Sequence, residues 1–146
     1  MRIYLDTETT GLDPAHDDLL EIAIIGDSGE VLLNTLIKPS SNNPIWPEAE
    51  AIHGITPEMV QDAPVLSEIA PRIEAAIKGR EVIIYNASFD QGFLGSLLSS
   101  ANSIKCCMEA WAEHVGDWSD YHGSYTWQKL TEAAHAVHFE WPGEAH

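Results

Sequence analysis

Three apolar runs dominate the first part of the chain, and each is short enough to be a single strand. The first covers Arg2–Asp6, the second is "LLEIAIIG" and the third is "VLLNTLIK". Short runs rich in Leu, Ile and Val are typical of buried strands. The turn "GDSGEV" contains Gly29, a residue type that adopts a positive φ without strain. Strands joined by such turns pair with their neighbours, so the pattern predicts an antiparallel meander.

The middle of the chain changes from a strand pattern to a helical one. A loop, "PSSNNPIWP", is followed by "PEAEAIHG", which predicts a short helix that ends at Gly54. Thr56 and Pro57 predict another helix start, with Thr56 as the N-cap. In "LSEIAPRIEAAIKG" the apolar residues recur at helical spacing, and we expect Pro71 to lie in the first turn of that helix.

Strands and helices alternate along the rest of the chain. The pattern predicts a buried strand in "EVIIYN", a helix in "SFDQGFLGSLLSS" with Ser88 as its cap, and a strand in "SIKCC". Two more helices are predicted in "MEAWAEHVG" and "YTWQKLTEAAHAVH". A meander followed by this alternation indicates an α/β fold in which a mixed sheet is flanked by helices.

Two carboxylates, Asp6 and Glu8, stand at the end of the first predicted strand. Residues two apart in a strand point to the same side, so their Cα atoms lie about 7 Å apart on one face. A third acid, Asp90, follows "EVIIYN" and falls in the first turn of the next predicted helix. Such oxygen ligands favour Mg²⁺ or Mn²⁺, with two ions about 4 Å apart in phosphoryl chemistry. The alternative is a solvated surface pair and a helix-start aspartate without catalytic function.

Three strings around these acids resemble the motifs of one enzyme family. "DTETTG" resembles the first motif of the DEDDh exonucleases, which include the proofreading subunit of bacterial DNA polymerase III, exonuclease X and ribonuclease T. "NASFD" is similar to the second motif, and "PEAEAIHGIT" resembles the linking segment of the proofreading branch. The match runs from Ile3 to Asp90 in the family's order. It implies a ribonuclease-H-like fold and 3′→5′ removal of nucleotides by two-metal hydrolysis.

The resemblance also implies roles for individual residues. Asp6 and Glu8 would bind the metal ions, and Asp90 would complete the acidic cluster directly or through water. Leu12 would wedge against the base of the 3′-terminal nucleotide. The full set expected to contact that nucleotide is Glu8, Thr9, Leu12, Glu48, Ile52, His53, Asn86 and Phe89.

The family's third motif is a histidine that acts as general base, followed by a metal-binding aspartate. His146 stands in the expected place after the last predicted helix, but it is the final residue, so the sequence does not contain that aspartate. We therefore interpret residues 1–146 as a single exonuclease domain that is truncated at its C-terminus. One alternative is a short form that is inactive or completed by a partner, and serves as a binding or adaptor module. A phosphohydrolase of another acid-rich fold is less favoured, because those with an aspartate nucleophile usually carry Asp-x-Asp.

The net charge of −16 restricts how such a chain can hold a polyanion. Its seven Lys and Arg residues are scattered, whereas proteins that grip long duplexes carry basic stripes. We therefore expect the substrate to be the 3′ end of single-stranded or frayed DNA, or of RNA. Further grip would come from a partner, either a polymerase or a second copy of the chain. Aromatic residues become frequent in the last third of the chain, where packing is more common than stacking on bases.

The apolar runs are all too short for a membrane helix, which needs about 20 residues. The N-terminus enters its first strand without the long apolar segment of a signal peptide. We therefore expect no membrane partner and a cytoplasmic location.

Overall fold

A computed structural model describes residues 1–140, and a mixed five-stranded sheet forms its centre. The strands are β1 (Arg2–Thr9), β2 (Leu19–Gly26), β3 (Val31–Leu36), β4 (Glu81–Ile84) and β5 (Ser103–Cys106), in the spatial order β3–β2–β1–β4–β5. The β1–β2 and β2–β3 pairs are antiparallel, whereas β1–β4 and β4–β5 are parallel. The predicted meander and the α/β fold class are therefore confirmed.

Helices connect the later strands and flank the sheet. Within the described residues they are α1 (Pro47–His53), α2 (Leu66–Ile77), α3 (Ala87–Leu94), a 3₁₀ helix (Gly95–Ser100), α4 (Cys107–Val115) and α5 (Leu130–Ala136). Two short strands, β6 (Trp118–Ser119) and β7 (Ser124–Tyr125), form a separate antiparallel hairpin. In this part of the chain no helix has both the length and the apolar composition needed to cross a membrane.

The main core lies between α2 and the strands of the meander and β4. Strand β1 buries alternate side chains, among them Ile3 and Leu5, and α2 buries Ile69, Ile73 and Ile77 in the same cluster. Full burial of one such side chain contributes about 1.5–3 kcal/mol. This packing fixes β1 as the central strand, so the acids it carries are held on a rigid element.

A second, smaller apolar cluster holds the segment around α1 against β2. Leu20 of β2 packs there with Trp46, Ile55 and Val60. The indole N–H of Trp46 donates a hydrogen bond of 2.7 Å to the Ile55 carbonyl, which closes the segment that contains α1. The cluster therefore sets where α1 lies relative to the end of β1.

Two predictions in the middle of the chain are wrong. Helix α2 begins at Leu66, so Pro71 lies in its second turn rather than its first. The proline removes the N–H partner of the Ser67 carbonyl, but both residues are exposed and water can replace that bond. Thr56 is followed by turns over residues 57–62 instead of a helix, and their backbone hydrogen bonds span three residues, as from the Met59 N–H to the Thr56 carbonyl.

Two later helices differ from the predicted ones at their boundaries. Asn86 is the N-cap residue of α3, whereas Ser88 lies inside the helix and donates to the Asn86 side chain at 3.2 Å. Helix α3 ends before Gly95, which has a φ of 50°, and the chain continues as a 3₁₀ helix. The last predicted helix is shorter, because Tyr125 belongs to β7 and α5 begins only at Leu130.

Candidate active site

Asp6 and Glu8 lie on one face of β1, as strand alternation predicts. Asp6 is exposed and Glu8 is half-buried, whereas the intervening Thr7 is buried on the opposite face. In the pairing with β2, Glu8 lies opposite Glu21, and the register shifts between Glu8 and Thr9. The strand therefore ends with several carboxylates close to a local irregularity.

Asp90 reaches β1 from the first turn of α3. Its side chain is only 4 % exposed, and Thr7 Oγ1 donates a hydrogen bond of 2.7 Å to its Oδ1 atom. Sequence reasoning did not identify Thr7 as a functional residue. The available signal was a polar residue at a position that alternation assigns to the buried face of β1.

Burial and neighbouring charges raise the pKa values of two of these carboxyl groups. The pKa of Glu8 rises to about 7, first because of burial and then because of the charges of Asp6, Glu21 and Asp90. The pKa of Asp90 rises to about 6 for the same first reason, while the hydrogen bond from Thr7 acts in the opposite direction. Asp6 contributes to both shifts, so its charge is felt at both of the other acids.

The donor chemistry of these three acids suits a hard divalent cation, since all of the ligand atoms would be carboxylate oxygens. Burial and repulsion make the ionisation of Glu8 and Asp90 unfavourable, and a bound cation would offset both effects. Among residues 1–140, however, no three Asp, Glu, His or Cys side chains are grouped as ligands of one ion. The metal-binding role of Asp6, Glu8 and Asp90 therefore stays a prediction.

The loop after β1 is tied down by hydrogen bonds to Asp17. That carboxylate accepts from Thr10 Oγ1 at 3.1 Å and from the backbone N–H of Asp13 at 2.9 Å. A Cβ atom on Gly11 would collide with the same carboxylate, so a larger residue there would displace the Asp17 side chain from these hydrogen bonds. The result is that Leu12, 83 % exposed, projects from a braced loop.

His53 joins the end of α1 to the end of β1. The backbone N–H of Ile55 donates to its Nδ1 atom at 3.0 Å, so the Nε2–H group donates to the Thr9 carbonyl at 3.1 Å. The ring is buried and both nitrogens are engaged. These two hydrogen bonds give His53 a structural role. The substrate contact predicted from the sequence would be a second role.

A cavity of about 590 Å³ lies between the loop after β1, α1 and α3. Seven of the predicted nucleotide-contacting residues line it: Glu8, Thr9, Leu12, Glu48, Ile52, His53 and Phe89. Thr10, Asp13 and Asp17 also line it and were not identified from the sequence. We call this space the terminal cavity.

One of the predicted contact residues lines a neighbouring cavity, and the predicted general base is not among the described residues. Asn86 lines a neighbouring cavity of about 600 Å³, which shares the side chain of Ile52 with the terminal cavity. Asp6 and Asp90 line neither of the two cavities. His146 lies outside the described residues.

Comparisons with known proteins agree with this arrangement. Residues 3–115 match the profile of the RNase T family, which is described as exonuclease. The chain is 37% identical to an uncharacterized exonuclease of Escherichia phage 186, over 99% of this chain and 79% of that protein. It is also 38% identical to DNA polymerase III subunit epsilon of Escherichia coli strain K12, over 64% of this chain and 41% of that protein.

Solved structures show the same fold. Exonuclease I of E. coli in complex with a dA16 oligonucleotide superposes with a TM-score of 0.73 at 20% sequence identity, over 96% of this chain and 36% of that chain. A product-bound exonuclease I structure gives a TM-score of 0.74 over 95% of this chain and 38% of that chain. The present chain therefore spans well under half of the length of those proteins, and the likeness supports the ribonuclease-H-like fold predicted from the motifs.

Proposed function

Because this chain belongs to the RNase T family of exonucleases, we propose that it hydrolyses the terminal phosphodiester bond at the 3′ end of single-stranded or frayed DNA and releases nucleoside monophosphates. Residues 1–146 form one exonuclease domain in this proposal, and its place of action is the cytoplasm. RNA is the alternative substrate of the same chemistry, distinguished by its 2′-hydroxyl group.

The observation that carries the proposal is the position of Glu8 between the terminal cavity and the other acids. Glu8 lines the cavity, and the charges of Asp6 and Asp90 both raise its pKa. The opposite walls include the apolar side chains of Leu12, Ile52 and Phe89. Apolar walls suit the faces of a base, so a terminal nucleotide bound there would have its phosphate near the carboxylates.

Asp6, Glu8 and Asp90 would hold Mg²⁺ or Mn²⁺, two ions in all, because their donors are carboxylate oxygens. Such ions stabilise the negative charge that develops on a phosphate during hydrolysis. The residues of the chain position the substrate and the acids: Thr7 orients the Asp90 carboxylate through its hydrogen bond. His146 would accept the proton of the attacking water, as the resemblance to the family implies.

The partner proposed for the whole protein is the 3′ end of a single strand. The exonuclease I structures that share this fold include one with a bound dA16 oligonucleotide, which supports that choice. A polymerase is a further candidate partner, because several relatives are DNA polymerase III epsilon subunits. A second copy of the chain is the other candidate, and size-exclusion chromatography with light scattering tests it directly.

A gel assay on oligonucleotides tests the activity. Single-stranded DNA and RNA, labelled at the 5′ end to follow the strand or at the 3′ end to follow the product, are incubated with the protein and Mg²⁺ or Mn²⁺. We expect a ladder that shortens from the 3′ end, with mononucleotides as the product. Asp6→Asn removes a charge from the acidic set and should lower the rate by at least about 100-fold, the scale on which catalytic electrostatic groups act.

Asp62→Asn is the matched control, because Asp62 is an exposed acid that lines none of the described cavities. Its rate should equal that of the unchanged protein. Equal rates for Asp6→Asn and Asp62→Asn would refute the proposed chemistry. Binding of single strands without any metal-dependent cleavage would instead favour the inactive binding module.

A further inference from the structure

We propose that Trp127 and Lys129 form a binding shelf for the second nucleotide of the strand whose 3′-terminal nucleotide occupies the terminal cavity. In this arrangement the base stacks on the indole ring of Trp127, and the phosphate contacts the ammonium group of Lys129. The inference rests on the proposed function for the direction of the strand. It adds a binding site of its own, which a measurement without hydrolysis can test.

The first support is the continuity of the two cavities. The neighbouring cavity of about 600 Å³ is lined by Ile52, Tyr85, Asn86, Trp127 and Lys129 among others. Ile52, with 71 % of its side chain exposed, also lines the terminal cavity. A strand that leaves the terminal cavity past Ile52 therefore reaches the shelf without crossing a packed element.

The second support is that the segment carrying the shelf is held firmly while the indole ring stays exposed. Tyr85 Oη donates a hydrogen bond of 2.9 Å to the Gln128 carbonyl, and Trp111 Nε1 donates one of 2.7 Å to Gln128 Oε1. The backbone N–H of Thr126 donates to the Asp117 carbonyl at 2.7 Å. Trp127 lies between these anchors, yet it is 60 % exposed. A ring that is carried on an anchored backbone and is open to solvent is suited to stacking on a base, which requires no particular sequence.

The third support is charge. No arginine or lysine lines the terminal cavity, and Lys129 is the one such residue at the neighbouring cavity, as far as the described residues show. Within residues 1–140 no carboxylate forms an ion pair with its ammonium group. In a chain with a net charge of −16, a lysine that has no ion pair among the described residues and lies beside the proposed active site is complementary to a phosphate.

These observations favour a nucleotide over an apolar peptide as the occupant. A peptide would use the apolar walls but would leave Lys129 without a partner, whereas a nucleotide uses the ring and the charge together. DNA and RNA share both features, so the shelf accepts either. Its position predicts that Trp127 contributes to the binding of strands of two or more nucleotides but not to the binding of a single nucleotide.

Fluorescence anisotropy with oligothymidylates tests the shelf in the intact chain. The probe is a 5′-fluorescein tetranucleotide with phosphorothioate linkages, which resist cleavage, and thymidine monophosphate is measured by competition. We expect Trp127→Ala to weaken binding of the tetranucleotide by about tenfold, the loss typical of one stacked base. Binding of the mononucleotide should be unchanged. Trp127→Phe should bind the tetranucleotide more tightly than Trp127→Leu, because only phenylalanine can stack on a base. This comparison tests the shelf even if the alanine variant does not fold.

Lys129→Ala should lower the slope of log affinity against log salt concentration by about 0.7, the value for one phosphate contact on a single strand. Lys78→Ala is the matched control, because Lys78 precedes β4 and therefore lies at the opposite end of that strand from Tyr85. Its slope should equal that of the unchanged protein.

Three results would overturn the shelf: no binding of the tetranucleotide, an unchanged affinity in both Trp127→Ala and Trp127→Leu, or an equal loss for mononucleotide and tetranucleotide. The gel assay for hydrolysis is independent of this measurement. Length-dependent binding through Trp127 without cleavage would leave the shelf in place and refute the nuclease proposal. Cleavage together with unchanged binding in the Trp127 variants would support the nuclease proposal and refute the shelf.

Discussion

At the residue scale, one hydroxyl group affects the pKa of the most buried acid in the site. Asp90 is 4 % exposed, and burial raises its pKa to about 6. The hydrogen bond from Thr7 acts against burial and favours the ionised form. Thr7 is therefore a positioning residue, since it holds the carboxylate in place and keeps its pKa from rising further.

Replacing Thr7 tests that role. Thr7→Val keeps the shape of the side chain but removes the donor, so the pKa of Asp90 should rise above about 6. At pH 8 the free energy of unfolding should fall by about 2 kcal/mol, as for a hydrogen bond to a charged group. Carbon-13 NMR of the Asp90 carboxyl and urea unfolding measure the two effects. Thr7→Ser keeps the donor and should restore the pKa, and an unchanged pKa in Thr7→Val would contradict the role.

At the element scale, α1 owes its position to tertiary contacts more than to its own stability. It has 7 residues, and isolated helices shorter than about 12 residues are marginal in water. Trp46 and Ile55 anchor its flanks, and His53 bonds its end to the last residue of β1. This attachment fixes the position of Ile52, which forms part of one wall of the terminal cavity, relative to the acids.

Removal of the His53 ring should loosen that attachment. His53→Ala leaves the Thr9 carbonyl and the Ile55 N–H without their partners, and an unsatisfied buried group costs about 1–3 kcal/mol. We expect the free energy of unfolding to fall by about 3 kcal/mol, measured by urea denaturation. His16→Ala is the control, because His16 is an exposed histidine whose ring pairs with the exposed Asp13. Equal stability of the two variants would show that the His53 bonds carry little energy.

The elements that the sequence predicted well are those whose apolar pattern is local. The strand "LLEIAIIG" has the predicted bounds because its apolar run is continuous and a nearby turn ends it, although Leu20 packs with the distant Trp46. The start of α5 was not predictable in the same way. Gln128 accepts hydrogen bonds from Tyr85 and Trp111, which lie 43 and 17 residues away in the sequence. The local helical pattern does not predict contacts with such distant residues.

The candidate site shows the same division. Seven contact residues that the family motifs indicated do line one cavity, since the motifs lie on β1, α1 and α3, which the fold brings together. Thr7 and Asp17 were missed because their roles depend on hydrogen bonds formed only after folding. Asn86, the N-cap residue of α3, lines the neighbouring cavity, and its contact with the nucleotide stays a prediction.

At the scale of the whole molecule, the acidic set couples stability to pH. The pKa of Glu8 rises from 4.5 to about 7, and that of Asp90 rises from 3.8 to about 6. The folded state thus binds more protons than the unfolded state between these values. The contribution of these two groups to stability is full below their unfolded pKa values and is lost as the pH rises through the folded pKa values. A divalent cation that neutralises the acids should remove this loss.

We therefore expect the melting temperature without divalent cations to fall as the pH is raised from about 4.5 to about 7.5, in line with the two shifts. Differential scanning calorimetry across this range, with and without Mg²⁺, measures it. The double variant Glu8→Gln, Asp90→Asn should show a shallower fall and a smaller effect of Mg²⁺. A melting temperature that rises with pH in the unchanged protein would contradict the coupling.

The connection of β1 to its two neighbours sets the order in which the chain can assemble during synthesis. Strand β2 follows β1 closely, whereas Thr7 and Asp90 are 83 residues apart. At about 5–20 residues per second, the ribosome completes the meander roughly 3–10 s before it delivers Asp90. Asp6 and Glu8 therefore reach their final strand while the third charge is still absent. The repulsion of Glu8 by Asp6 and Glu21 is already present in the meander, and the charge of Asp90 adds to it only when α3 docks. Dissolved cations are available to ease that last step.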